Sequence, residues 1–365
     1  MHAGLLIYGS LDTVSGGYLY DRMLVEHLRR SGDTVELISL PWRSYPRHLA
    51  DNFSRKLYHR LAGFQGDLLI QDELNHPSLF LLNRRLRSQT DYPLVSVVHH
   101  LRSRELRPAW QNRLYNLVER LYLRTIDGFV FNSQTTRQTV LETGVNLKTA
   151  PHIVAVPAGD QFNPVIEPGE IVQRAKSPGP LRIAFVANLI PRKGLHTLLE
   201  ALALLPAESC SLTVIGSLDA DLAYTHRIRK QIAARGLGAR VRLLGPLPAD
   251  GLALELRAHH VLAVPSTYEG YGIAYLEGMG FGLPAVASAG AAAEIITPGQ
   301  DGCLVPPDDP PALAQRLSEL ASDRSLLAEM GLAALRRFEA QPTWRQTCAA
   351  IRQFLLTISP GRQSS

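Results

Sequence analysis

Glu269 and Glu277 stand eight positions apart in the stretch Pro265 to Pro284, which also holds Gly270, Tyr271, Gly272, Ile273, Gly278, Gly280 and Gly282. An apolar run precedes this stretch and a helical pattern follows, so it reads as a strand-to-helix loop. Along a helix at ~1.5 Å per residue, eight steps separate the two carboxylates by about 12 Å. That span suits two sugars joined through a diphosphate, with one carboxylate accepting hydrogen bonds from hexose hydroxyls and the other from ribose hydroxyls. From Gly270 through Tyr271 and Gly272 to Ile273 the glycines let the backbone come close. The free NH groups opening the helix, at the positive end of its dipole, would face the diphosphate. Two acids alone would read as a solvated turn and a helix surface; the glycine and proline context favours a ligand.

The segment Asn188-Leu-Ile-Pro-Arg-Lys-Gly194 lies between another strand and helix. Arg192 and Lys193 are suited to neutralising phosphate oxygens as a departing diphosphate gains charge, and Gly194 permits the turn. As an isolated feature it reads equally as a basic loop. Ser15-Gly16-Gly17 follows the first apolar run, where glycines allow backbone NH groups to approach phosphate or sugar. It lacks the full Gly-x-Gly-x-x-Gly fingerprint, which argues against a nicotinamide cofactor. His99 and His100 close the run Leu94 to Val98; His99 is assigned a hydrogen-bonding or proton-moving role and His100 is left open. Asp219-Ala-Asp221 matches an Asp-x-Asp metal pattern but sits in a loop leading to a surface helix, and is discounted. Cys210, Cys303 and Cys348 show no Cys-x-x-Cys spacing, so neither a zinc site nor a disulfide framework is expected.

These residues need a scaffold. Short runs rich in Val, Ile and Leu alternate with helical periodicity: Gly4 to Tyr8, Val35 to Leu40, Asp67 to Ile70, Leu94 to Val98, Gly128 to Phe131 and Ile153 to Val156. The rhythm restarts at Leu181 to Val186, Leu212 to Ile215, Val241 to Leu244, Val261 to Val264, Ala285 to Ala287 and Cys303 to Val305. Runs buried on both faces at helix-length intervals imply parallel sheets, so the fold class is α/β, with two doubly wound, Rossmann-like domains. The 365 residues fit two domains. Their bounds are expected at 1–163 and 181–342, with the Pro- and Gly-rich stretch 164–180 as linker. Ligands of such folds bind at the carboxyl ends of the strands, here across a cleft between facing domains.

The net charge of +5 is unevenly spread, because Pro41 to Arg124 carries 14 Lys plus Arg against 7 Asp plus Glu. An anionic partner for this segment follows, and no nucleic-acid module accompanies the charge. Over Ala109 to Thr125, Trp110, Leu114, Leu117 and Leu121 form one helical stripe with Arg113, Arg120 and Arg124 beside it. That stripe reads either as a face lying on an anionic membrane or as an ordinary helix packed on its sheet with a charged margin. No apolar run approaches ~18 residues, and Met1 to Ser10 lacks the features of a signal peptide. A cytoplasmic protein is expected, peripheral at the inner face of the membrane on the first reading of the stripe.

Taken together, Glu269, Glu277, Gly282 and Pro284 resemble the Glu-x7-Glu motif and Gly-x-Pro tail of the family 4 retaining glycosyltransferases, which adopt the GT-B fold. The resemblance spans nearly the whole chain. It implies that Glu269 contacts the donor sugar, that Glu277 binds the nucleotide ribose, and that Lys193 holds the donor diphosphate. Where the family places its diphosphate-binding Arg this chain has Asn188, and Arg192 is expected to supply that charge. Gly16 and Gly17 match the family's glycine loop and His99 its histidine. Softer matches are Phe131-Asn-Ser133, Val156-Pro-Ala-Gly159 and Ala289-Gly-Ala-Ala-Ala-Glu294. The resemblance further implies that 1–163 binds the acceptor, that 181–342 binds the nucleotide sugar, and that the helix 343–358 crosses back onto the first domain. The expected reaction moves a hexosyl group from a UDP- or GDP-sugar to a carbohydrate or lipid-linked acceptor with retention, without metal or other cofactor. A GT-B epimerase or phosphorylase and a catalytically silent sugar nucleotide-binding protein are the alternatives, the latter because of Asn188 and Ala158.

Overall fold

The computed structural model describes residues 1–147 and 150–359. They fall into two compact units: Met1–Pro157 with the segment from Trp344 onward, and Ala158–Thr343.

The first unit is built on six parallel strands: β1 His2–Tyr8, β2 Thr34–Leu40, β3 Leu68–Asp72, β4 Leu94–Val98, β5 Gly128–Phe131 and β6 His152–Val154. Their spatial order is β2-β1-β3-β4-β5-β6. Every residue of β3, β4 and β5 is buried, as expected of strands covered on both faces. The second unit holds β7 Leu181–Val186, β8 Cys210–Ile215, β9 Val241–Gly245, β10 Val261–Val264, β11 Ala285–Ser288 and β12 Gly302–Val305, again all parallel. Its order, β12-β11-β10-β7-β8-β9, is the 3-2-1-4-5-6 arrangement of a dinucleotide-type doubly wound sheet. Each sheet therefore has one switch point where successive connections leave in opposite directions: between β1 and β3, and between β7 and β10.

Each of the twelve apolar runs coincides with a strand to within two residues at its ends, but the stretch 164–180 is not free linker. Pro168, at the first helical position where its missing NH is harmless, opens the helix Pro168–Ala175. Ile171 of this helix is buried against two glycines, Gly282 and Gly331, where a Cβ would collide with its side chain. Residues 158–163 also belong to the second unit. Gly159 lies so close to the helix Ile273–Gly280 that a Cβ there would come within 2.7 Å of the Leu276 backbone carbon.

The helix Trp344–Ile358 belongs to the first unit and packs on the helix Gly16–Arg30. Arg352 Nε donates to Asp33 Oδ2 at 2.6 Å, Thr347 Oγ1 donates to the Val156 carbonyl at 2.9 Å, and the Trp344 and Tyr20 rings meet edge-on at 5.6 Å. The three cysteines are free and buried. No helix among the described residues is long and apolar enough to cross a membrane.

The helix Ala109–Leu123 does pack on its sheet, but through a different face from the stripe picked out above. Val118, Glu119, Tyr122 and Leu123 are buried. Trp110, Leu114 and Leu117 point outward, 66%, 42% and 54% exposed, with Leu106 exposed nearby.

The left-handed Gly282 (φ +66°) has no room for a Cβ, whereas Gly299 (φ +80°) faces open space. Gly282→Ala is expected to destabilise the protein by about 1–3 kcal/mol, seen as a lower urea midpoint, and Gly299→Ala by less, because it carries the backbone strain alone.

Candidate functional site

In the second unit the loops leaving β7 and β10 meet at the switch point. Gly194 (φ +71°) sits against Pro265 so tightly that a Cβ would strike the Pro265 carbonyl, and Thr267 N donates to the Arg192 carbonyl at 2.9 Å. This knitting brings Lys193 and Arg192 to Glu269. Lys193 Nζ pairs with Glu269 Oε1, and Ser266 Oγ donates to the same oxygen at 2.6 Å. Arg192 Nη1 donates to the Tyr268 carbonyl at 2.6 Å and stands 3.5 Å from Glu269 Oε2. Burial alone would raise the Glu269 carboxyl, but Lys193 and then Arg192 outweigh it and hold the group at about 2. Burial and the Arg192 charge lower the Lys193 ammonium, against the pull of Glu269. Two cations around one carboxylate leave a local excess of one positive charge.

Glu277 projects from the helix Ile273–Gly280, 7% exposed, and accepts from the Gln161 amide. Burial pushes its carboxyl up to about 7, and the Gln161 hydrogen bond only partly offsets this. Because that helix begins at Ile273, only the second half of the eight-residue spacing is helical, and the 12 Å estimate for the Glu269–Glu277 span does not stand. The helix starts at a left-handed glycine, Gly272 (φ +106°), so no side chain occupies its N-cap and the amides of its first turn are not capped in that way. Tyr271 is buried with its hydroxyl toward Gln341, which leaves its backbone rather than its ring for a ligand. Asn188 Oδ1 accepts from Ser217 N at 3.1 Å, tying the loop after β7 to the one after β8.

In the first unit, Gly16 and Gly17 form the first turn of the helix Gly16–Arg30, capped by Ser15 Oγ, which accepts from Tyr18 N at 3.4 Å. A Cβ on Gly17 would lie 3.3 Å from His99 Cδ2, so the glycine loop and His99 are neighbours. His99 Nε2 stands 3.3 Å from Asp21 Oδ1, and Asp72, at the end of β3, completes a buried cluster whose candidate ligand atoms lie within 4.8 Å of one another. Burial would lower the His99 pKa; the Asp21 hydrogen bond and charge reverse the sign and raise it. Burial and the nearby Asp21 push Asp72 up to about 7. His100 pairs instead with Glu105 at 3.1 Å.

The predicted site residues thus form two groups, one in each unit. Asp21, Asp72, Ser266 and Gln161 were not foreseen. Asp21 was findable, since it shares the helical stripe of Leu24, Val25 and Leu28 and so had to be buried. Asp72 closes an apolar run as His99 does. Nothing in the sequence pairs Gln161 with Glu277, 116 residues away. The discounted Asp219-x-Asp221 contains a helix cap, Asp221 Oδ1 accepting from Tyr224 N at 2.9 Å. Ser133 caps its helix in the same way, accepting from Thr136 N at 2.9 Å.

With its folded-state pKa raised, Glu277 favours the folded state fully only below its unfolded value and loses that contribution as pH rises through about 7. Glu277→Gln is therefore expected to gain about 1–3 kcal/mol relative to the parent between pH 5 and pH 8.5. The difference in melting temperature between the two proteins across that range measures it.

Comparison with known proteins gives a consistent picture. Residues 169–337 match the family described as glycosyl transferases group 1, and residues 15–159 match the glycosyl transferase 4-like domain. A D-inositol 3-phosphate glycosyltransferase of Corynebacterium efficiens is 31% identical over 154 residues, which are 41% of this chain and 36% of that protein. The match spans little more than a third of that relative. Among solved structures, sucrose-phosphate synthase of Thermosynechococcus elongatus is 22% identical, with a TM-score of 0.81 over 98% of each chain. HepE of Anabaena, solved in complex with UDP-glucose, is 20% identical, with a TM-score of 0.78 over 98% of this chain and 100% of that one. These likenesses, with the two parallel six-stranded sheets, identify the fold as GT-B.

Proposed function

Since the chain belongs to the family 4-like, group 1 glycosyl transferases, we propose that it moves a hexosyl group from a UDP- or GDP-sugar to an acceptor hydroxyl with retention at the anomeric carbon. The observation that carries this reading is the Lys193–Glu269–Arg192 cluster at the β7/β10 switch point, beside a helix start that no side chain caps. A net positive charge next to first-turn amides suits a diphosphate, and both act most strongly as the leaving group gains charge. Glu269, kept ionised, accepts from hydroxyls of the transferred hexose, and Glu277 accepts from the ribose. His99, its proton retained by Asp21, donates to a sugar hydroxyl. The UDP-glucose bound by HepE supports a nucleotide sugar as donor.

In this reading the bond from the anomeric carbon to the donor phosphate oxygen breaks while the acceptor oxygen bonds to the same face. The acceptor proton passes to the departing nucleoside diphosphate. No enzymic nucleophile is called for. Lys193 and Arg192 supply the charge neutralisation that a divalent ion would otherwise bring, so no metal is called for either. Asn188 takes no part in that charge, because its side chain serves the adjoining loop.

Thermal shift against a panel of UDP- and GDP-sugars tests the donor: a bound donor at 100 times its Kd raises stability by about 2.7 kcal/mol. Lys193→Ala and Glu269→Ala are expected to lower transfer by about 10²-fold or more with the fold retained. Transfer within twofold of the parent in either variant would remove the assignment, and the anomeric configuration of the product by NMR decides retention.

The acceptor is taken by the first unit, at an anionic membrane surface. The outward stripe of Trp110, Leu114 and Leu117 supports this, flanked by the exposed Arg113, Arg120 and Arg124. The protein is expected to float with phosphatidylglycerol vesicles at low salt and to be released at high salt. Trp110→Ser with Leu114→Ser weakens flotation, and absence of binding at low salt would exclude the membrane contact.

A further inference from the structure

A cavity of about 220 Å³ opens within the first unit where the chain leaves β1 (Tyr8), β2 (Trp42, Arg43, Tyr45, His48), β3 (His76) and β4 (Arg102). It therefore lies at the carboxyl ends of the strands on both sides of the β1/β3 switch point, the place where doubly wound sheets take ligands. From its contents we infer that it is a binding site for a sugar carrying an anionic group, phosphate or carboxylate, with Arg102 as the anchoring cation.

The Tyr8, Arg43, Tyr45, His48 and His76 side chains of the lining are hydrogen-bonded within the protein. Arg43 Nη1 pairs with Asp51 Oδ1 at 2.9 Å. His48 Nε2 accepts from Arg43 N at 3.1 Å, and burial lowers this ring's pKa. His76 is held between the Glu73 carbonyl at 3.0 Å and the Tyr45 hydroxyl at 3.1 Å, and burial lowers it to about 4, so it is neutral at physiological pH.

Arg102 is the cation of the lining without such a partner. Its guanidinium has no carboxylate partner among the described residues, and its buried Nε has no acceptor. It rests against the Tyr45 and Tyr115 rings, 5.4 and 5.2 Å from their centroids. The turn that carries it is fixed by the next residue: Ser103 N and Oγ donate to the two Glu119 oxygens at 3.0 and 2.5 Å. Glu73 feels the Arg102 charge, but burial pushes its carboxyl up to about 7, which weakens it as a counter-ion. A rigidly held guanidinium with free donors in a concave site matches the planar, two-oxygen geometry of carboxylate and phosphate.

Trp42 defines the rest of the ligand. Its indole packs over Gly9, where a Cβ would come within 2.7 Å of Nε1, and the Tyr8 ring lies 5.2 Å away. Even so, 52% of the residue is exposed at the cavity. An aromatic face fixed at the rim of a polar pocket suits the apolar face of a sugar ring.

This inference rests on reading the first unit as the acceptor's, and the donor is measured separately. Fluorescence titration of the full chain with glucose 6-phosphate, glucuronate and glucose is expected to show one of the charged sugars binding at least tenfold more tightly than glucose. Arg102→Gln is expected to abolish that preference while leaving weak glucose binding and the UDP-glucose thermal shift as they are in the parent. Trp42→Ala is expected to weaken all three sugars. A parent protein without preference for either charged sugar, or Arg102→Gln retaining it, would overturn the proposal. Loss of vesicle flotation in Arg102→Gln would assign the anion to a lipid headgroup and overturn the soluble sugar. Charged-sugar preference without any donor shift would sustain this pocket while counting against the transferase reading.

Discussion

Burial works against the charge of a carboxylate and cations beside it restore it; Glu269 obtains two from a loop 76 residues earlier in the chain. The second unit provides for that one requirement. Its 3-2-1-4-5-6 strand order sets β7 next to β10, so that the loops leaving both strands rise side by side. Gly194 and Pro265 close the gap between them to backbone contact. Removing Glu269 would leave two cations side by side without their counter-ion, so the carboxylate is the member on which the other two depend.

The elements were more legible than their arrangement. Every strand was readable because strands buried on both faces leave continuous apolar runs, which need no knowledge of neighbours. Strand order is set by which loops cross which face, and no local pattern encodes it. Likewise Glu269, Lys193 and Glu277 stood out by their glycine and proline surroundings, whereas Gln161 and Ser266 are ordinary residues until the fold brings them to a carboxylate. The stretch 164–180 looked like linker because Pro and Gly mark both loops and helix starts, and Pro168 turned out to be the latter. The stripe on Ala109–Leu123 was open to two readings, an outward face or a core face, and Trp110, Leu114 and Leu117 point outward. Tyr122 and Leu123 join the core of the sheet, Tyr122 through its hydroxyl to Ser96, and Glu119 beside them can be buried because Ser103 satisfies it.

Four carboxyls in this protein are pushed by burial to about 7: Asp72, Glu73, Glu119 and Glu277. Three of them surround the carboxyl ends of the first unit's strands. Groups that exchange protons so near neutrality make the first unit's interior electrically adjustable. By contrast, Glu269 is held at about 2 and keeps one charge state throughout the physiological range. The Lys193–Glu269–Arg192 group is thus electrostatically fixed, whereas Glu277 in the same unit and the carboxyls of the first unit are not.

The return of Trp344–Ile358 to the first unit makes the second unit an insertion within the first. Arg352 meets Asp33 across 319 residues of sequence. On the ribosome, the whole of Ala158–Thr343 emerges before the first unit receives the helix that covers Gly16–Arg30, so the inserted unit has its complete sequence earlier than its host. The host's sheet must wait with that helix uncovered, and the slowest contacts to form are those of its last element.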